Sequence, residues 1–287
     1  MSIRVVCPVL ALIIALFVAA VTARADMRIA SVERYHDLAD IDHIPEPAGP
    51  RTALHVPSPG AVLPKHQDRY VTLTIGGDLG LGGSRERVVA TAGVRSGRRY
   101  PLAELTRHIR PLLNSDLAFA NLETVVTETN ALPPTEKAFN FRMHPAGVKH
   151  LIKTGFNVLS TANNHSVDYG ANGIRHTIRH LAAAKAHGLL ASHGVAGAAD
   201  AVFVPARFSV NGATFALAST GIGGRATASS PGQAHFRSPA DFRRITTALS
   251  AADADYRILS VHYGEELQVR PSRADEKKLR QQAIGDA

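Results

Sequence analysis

The amino-acid sequence predicts an α/β protein built on a mostly parallel sheet. Three observations carry this. Short β-branched runs alternate with segments of helical period. Four of the runs finish, at their carboxyl ends, in the same kinds of polar residue. One pair of alternating strands is joined by Asn211-Gly212, a dipeptide that suits a tight hairpin turn.

The elements follow in order. Tyr70 to Ile75 (YVTLTI) is a strand that breaks into the glycine-rich GGDLGLGG of residues 76–83, and PLAELTRHIRPLLN after it has helical spacing. DLAFAN is a second strand, leading into Leu122-Glu123-Thr124. After a long polar excursion, PAGVKHLIKTG reads as a helix and FNVLSTA as the third strand. The loop ANNHSVDYG comes next, followed by a helix from about Ala171 to His187 with apolar residues at Ile174, Ile178 and Leu181. AVFVPARFSVNGATFALAS carries the hairpin. A helix over Pro239 to Leu249, the strand Arg257 to His262 and a polar helical tail complete the chain, with no internal repeat.

The 287 residues are enough for a large buried core. Aromatic residues make up 6% of them and Trp is absent, which argues against a carbohydrate surface built on stacked indoles. Residues 1–25 are a different material: Arg4, an uncharged apolar run, then Ala23-Arg24-Ala25 before Asp26. This is the pattern of an export signal with an A-x-A cleavage site, so the expected mature chain begins at Asp26 and is periplasmic or extracellular. Membrane attachment is the alternative if the segment stays uncleaved, because the run is nearly long enough to span a bilayer. The single cysteine, Cys7, lies inside the segment, so cleavage excludes disulfides and thiol catalysis. Loss of Arg4 and Arg24 takes the formal charge from +8 to +6. The remaining cations are scattered, which suits an acidic polymer better than nucleic acid. Residues 26–68, rich in Pro, His and Asp without apolar period, read as a linker or arm, and the irregular spacing of His36, His43, His55 and His66 reads as solvated loop. The domain proper is residues 69–287.

The four strand ends deliver Gly77-Asp78, Asn121-Leu122-Glu123, Asn163-Asn164-His165 and His262-Tyr263-Gly264-Glu265. In open α/β sheets ligands bind at the carboxyl ends of strands, where loops and helix N-termini from distant parts of the sequence converge. Carboxylates, an amide oxygen and imidazoles, without thiolate, suit Mn²⁺, Mg²⁺, Zn²⁺ or Fe²⁺. Such ions activate water, and a nearby His can move a proton.

GGDLGLGG, FANLETVVTE, FNFRMHP, NVLSTANNHSVDYGANGIRHT and LSVHYGEELQVRPS resemble, in order and spacing, the poly-γ-glutamate capsule synthesis family (CapA-type), related to the calcineurin-like metallophosphoesterases. The resemblance runs from about Val71 to the C-terminus, and ANNHSVDYG is its most specific block. It implies a four-layer αββα sandwich of metallophosphoesterase type with a dinuclear metal site between two sheets. Carried over by motif, Asp78, Glu123, Asn164 and His262 are the implied metal ligands and His165 the implied catalytic residue. Asp168 and Tyr169 are assigned only to shaping the loop. Two departures stand out. General metallophosphoesterases place a His two residues after the first Asp, where this chain has Gly80, and the family's later Gly-His-His-Pro-His block has no counterpart before Ala287, so the domain is expected to be C-terminally truncated with an incomplete site. Two functional readings stay open: a metal-dependent phosphoesterase or other hydrolase in capsule assembly, or a non-catalytic surface factor that binds an anionic polymer or its synthase components.

Overall fold

A computed structural model of the chain describes residues 71–264, the backbone of three short strands (Ile3–Cys7, Ile14–Leu16 and Ile29–Glu33), and scattered positions between 272 and 281. The cleavage site at Ala25, most of the stretch read as a linker and most of the polar tail lie outside the described residues.

Two sheets face each other. The first is parallel throughout and runs, edge to edge, Ala191–His193, Val158–Ser160, Leu117–Leu122, Leu73–Leu79, Ile3–Cys7 and Ile29–Glu33. The second is mixed: Ala206–Val210 pairs antiparallel with Ala213–Gly221, which pairs parallel with Tyr256–His262, and Ile14–Leu16 closes the other edge. Two of these strands fall in the stretch read as a leader and Ile29–Glu33 in the stretch read as a linker. The Asn211-Gly212 turn joins the hairpin as expected, with both residues at positive φ (49° and 78°).

Side-chain alternation builds the layers, because successive residues of a strand point to opposite faces. Leu117 and Phe119 enter the core between the sheets, with Leu73, Ile75, Phe215, Leu217 and Ile258. Ala118, Ala120 and Leu122 point the other way, against Val148 and Leu151 of the Pro145–Thr154 helix and Leu181 of the Gly170–Ala184 helix. Across the molecule, Ala216, Ala218, Leu259 and Val261 meet Phe242, Ile245 and Leu249 of the Pro239–Ser250 helix. The order is therefore helix, sheet, sheet, helix: the four-layer sandwich. All six residues of Leu117–Leu122 are buried, since both faces of the strand are covered. Each large apolar side chain so buried contributes about 2 kcal/mol of transfer free energy. Among the described residues no helix is long and apolar enough to cross a membrane.

Two elements differ from expectation. PLAELTRHIRPLLN forms only a short helix, Leu102–Thr106, and a single 3₁₀ turn at Arg110–Leu112. Pro111 explains the break, because it lacks an N–H and its ring clashes with the carbonyl four residues back. The strand expected to end at Ile75 instead runs to Leu79. Its register against the neighbouring strand slips at the glycine pair: Ile75 lies opposite Phe119, but Asp78 opposite Asn121, one residue more on this strand than on its partner. That bulge decides which way Asp78 faces. In unbroken register Asp78 would sit opposite Leu122, whose side chain goes to the helix layer. The inserted residue turns it to the same side as Asn121, between the sheets.

Candidate metal centre

The site lies at the carboxyl ends of Leu73–Leu79, Leu117–Leu122, Val158–Ser160 and Tyr256–His262, the edge where the two sheets open. Asp78 arrives through the bulge, Glu123 directly follows its strand, and His262 ends the matching strand of the second sheet. The ANNHSVDYG loop supplies Asn164 and His165. Asp78, Glu123 and His262 each offer a ligand atom, and these atoms lie within 4.8 Å of one another. His262 Nδ1 is 3.7 Å from Asp78 Oδ1, and its Nε2 is 3.6 Å from Glu123 Oε1 and 2.9 Å from Asn164 Oδ1. His165 Nε2 is 4.0 Å from the same Glu123 oxygen. Residues up to 184 positions apart in sequence, Asp78 to His262, thus share one cleft.

Buried amides hold the ligands. Asn121, 1% exposed, donates from Nδ2 to Asp78 Oδ1 at 2.7 Å and lies 3.2 Å from His262 Nδ1. Asn163, fully buried, donates to Asn121 Oδ1 at 3.0 Å and to the Leu122 carbonyl at 2.9 Å, and its own side-chain oxygen accepts from the His165 N–H at 3.1 Å. One chain of hydrogen bonds therefore runs from the loop to the first carboxylate. Burial alone pushes the Asp78 carboxyl up. The His262 imidazole and the Asn121 amide, with a contact to Glu123, outweigh this and hold it below its ordinary value. Asp78 is thus kept ionised and ready to ligate.

His165 is fixed from behind. Its Nδ1 is 2.7 Å from Asp168 Oδ2, and the ring lies against Phe141 with centroids 4.4 Å apart. Asp168 is fully buried and accepts from the Phe141 N–H at 2.6 Å and, through Oδ1, from Lys137 Nζ at 2.6 Å. Lys137 Nζ also donates to the Asn164 carbonyl at 2.9 Å. A carboxylate so surrounded accepts the Nδ1 proton of His165, which leaves Nε2 as the ring atom turned toward Glu123.

Asp78, Glu123, Asn164, His165 and His262 are therefore brought together. Three contributors are given no part in the site by the sequence: Asn121, which stands at one of the strand ends and bridges Asp78 and His262, Asp168, which does more than shape its loop, and Lys137. The His-x-x-Asp spacing of residues 165–168 carries a signal for Asp168. Lys137, in the polar excursion, carries none. Gly80 sits where the resemblance calls for an imidazole, and a Cβ placed there would meet only the Glu123 carbonyl at 3.7 Å and Thr124 at 3.9 Å, ordinary contacts.

Comparison with known proteins places the chain in a family. The profile of the bacterial capsule synthesis protein PGA_cap family matches residues 72–285, which include all five site residues. The chain belongs to this family. Among its relatives, the capsule biosynthesis protein CapA of Bacillus anthracis is 28% identical over 227 residues, 75% of this chain and 52% of that protein. The PGA biosynthesis protein CapA of Bacillus subtilis (strain 168) is 26% identical over 229 residues, 77% of this chain and 56% of that protein. A probable polyglutamine synthesis accessory protein of Mycobacterium tuberculosis is 27% identical over 140 residues, 40% of this chain and 37% of that protein. The chain thus spans about half the length of the two Bacillus relatives. The matched residues form the mixed α/β domain of this chain, whose open edge gathers the candidate ligands.

Proposed function

We propose that this family member is exported and takes part in assembling an anionic surface polymer such as poly-γ-glutamate, using the Asp78 cleft as a metal-dependent hydrolytic centre for a phosphoester or amide bond. The observation that carries the reading is the convergence of Asp78, Glu123, His262 and Asn164 beside a His165 held by a buried carboxylate. The donor set fits a divalent cation: two carboxylates, an amide oxygen and one imidazole, within reach of one another and without thiolate. Asp78, Glu123, Asn164 and His262 would hold Mn²⁺, Mg²⁺, Zn²⁺ or Fe²⁺. When bound, the ion supplies a Lewis acid and lowers the pKa of water.

The chain's own residues do the rest. Asp168 keeps His165 in the tautomer with its proton on Nδ1, and Lys137 neutralises the charge this places in the interior. His165 Nε2 then takes a proton at the cleft and gives it to the departing oxygen or nitrogen of the substrate. Asn121 and Asn163 fix Asp78 and the loop so that neither group reorganises during the reaction.

The test is hydrolysis of an aryl phosphate and of a γ-glutamyl amide by purified chain supplied with Mn²⁺ or Zn²⁺. Metal-dependent turnover that disappears in Asp78→Ala supports the proposal, and turnover unchanged by Asp78→Ala removes it. A second reading, a non-catalytic factor that binds an anionic polymer or its synthase, is favoured by Gly80, where an imidazole ligand would otherwise stand. Polymer binding without turnover at any metal concentration would select it. Export is tested separately: the secreted protein should begin at Asp26, and a detergent-extracted form beginning at Met1 would replace this with a membrane anchor.

A further inference from the structure

A second group of metal-ligating side chains lies outside the cleft. His176 and His180 stand four residues apart on the Gly170–Ala184 helix, so they share one face. Glu128, just past the Val125–Val126 strand that packs on this helix, reaches over both. One of its oxygens, Oε2, is 2.5 Å from His180 Nε2 and 3.5 Å from His176 Nδ1. The three ligand atoms lie within 4.8 Å of one another, as in the cleft. Arg179 engages the other carboxylate oxygen, Oε1, and leaves Oε2 facing the imidazoles. Thr127 Oγ1, which accepts from the Thr129 N–H at 3.2 Å, lies 2.9 Å from His176 Nδ1, a contact that an ion bound at this nitrogen would displace.

We infer that Glu128, His176 and His180 form a second, surface metal site that takes Zn²⁺ or a similar borderline divalent ion, separate from the Asp78 cleft. Two imidazoles four residues apart on a helix plus one carboxylate are a zinc donor set with a position left for water. The site joins the helix that follows the ANNHSVDYG loop to the segment that follows Glu123, so an ion there clamps two elements that also carry the cleft. It does not depend on the cleft being catalytic.

Zinc binding to the full chain, measured by equilibrium dialysis and by the visible spectrum of substituted Co²⁺, tests this. The wild-type chain should show a zinc equivalent that survives in Asp78→Ala and disappears in the double variant His176→Ala/His180→Ala, with affinity weakened more than about 100-fold, beyond the loss usual for an outer-shell partner. Glu128→Gln, which keeps the side chain's shape, should weaken the same equivalent, and zinc should raise the melting temperature of Asp78→Ala but not of the triple variant Asp78→Ala/His176→Ala/His180→Ala. Unchanged zinc stoichiometry and affinity in the double variant, with native circular dichroism, would overturn the inference. So would a wild-type chain whose zinc is entirely lost in Asp78→Ala.

Discussion

The two clusters of candidate ligands are built from nearly the same residue types and differ in what surrounds them. In the cleft, Asp78, Glu123 and His262 are partly buried and backed by amides that are themselves inaccessible: Asn121 is 1% exposed and Asn163 fully buried. At the surface, Glu128 is exposed and held by Arg179, a charge on a flexible stem. The cleft is pre-organised by groups that cannot move without breaking the interior. The surface cluster is organised mainly by an exposed cation that water can replace, with only Thr127 behind His176 drawn from the interior. Supporting shells, more than ligand identity, separate a site fit for chemistry from one fit only to hold an ion.

The strongest way to break this comparison is to turn one ligand of the cleft away while leaving the surface cluster intact. Inserting one glycine after Gly77, with the bulge kept, moves Asp78 one position along the strand, opposite Leu122, where its side chain faces the helix layer. Metal at the cleft should be lost altogether, while zinc at Glu128, His176 and His180 persists and reports that the helix layer still folds. Retention of cleft metal after the insertion would show that strand register does not set the direction of Asp78.

Next in size is His165→Ala. It should lower turnover by roughly 10²–10⁴-fold, the usual contribution of a positioned proton donor, with metal content unchanged. His176→Ala should leave turnover where it was. Equal losses from both substitutions would erase the distinction between the two regions.

Burial of an imidazole can be compared directly with its exposure through pH. His193 is 7% exposed, and its Nδ1 accepts from the Ser219 N–H at 2.9 Å. Burial lowers its pKa from 6.5 to about 4, an effect that a backbone bond with Val204 only partly offsets. Between those values the unfolded chain binds a proton that the folded chain refuses. Stability is therefore complete above pH 6.5, falls as the pH drops toward 4 and stays level below that. The loss attributable to this residue is at most about 3 kcal/mol. Chemical denaturation across that range should show a shallower slope in His193→Asn than in the wild-type chain. Parallel slopes would assign the pH dependence to other groups.

The smallest effect belongs to the surface. Without metal, Glu128→Gln should change stability by less than about 1 kcal/mol, because exposed ion pairs contribute little. A larger loss in a metal-free melt would mean that the Glu128 network is structural.

Much of this organisation was legible in the sequence. Asp78, Glu123, Asn164, His165 and His262 all stand at or just past the carboxyl ends of strands, and that position is a local property that apolar runs reveal. The Asn211-Gly212 turn was legible for the same reason, since its positive φ values are set within two residues. What the sequence concealed depends on register and on pairing across the sheet. The glycine pair at residues 76 and 77 reads as the end of a strand, yet it is a bulge within one, visible only against Phe119 and Asn121 on the neighbouring strand. Lys137, itself in irregular chain, meets Asp168 31 residues later, beyond a helix and a strand, a contact no period announces. Pro111 carried a readable warning against a long helix, and the apolar spacing around it concealed that warning. The Glu128 cluster lay half in view: His176 and His180 show helical spacing, but their carboxylate comes from a different element.

The most direct test of the central claim is anomalous diffraction from crystals of the full chain grown with Mn²⁺. The account places a peak among Asp78, Glu123 and His262, with Asn164 beside it, and that peak should vanish in Asp78→Ala crystals. Mn²⁺ found only at Glu128, His176 and His180, with the cleft vacant at saturating metal, would contradict the claim that this cleft is the metal centre.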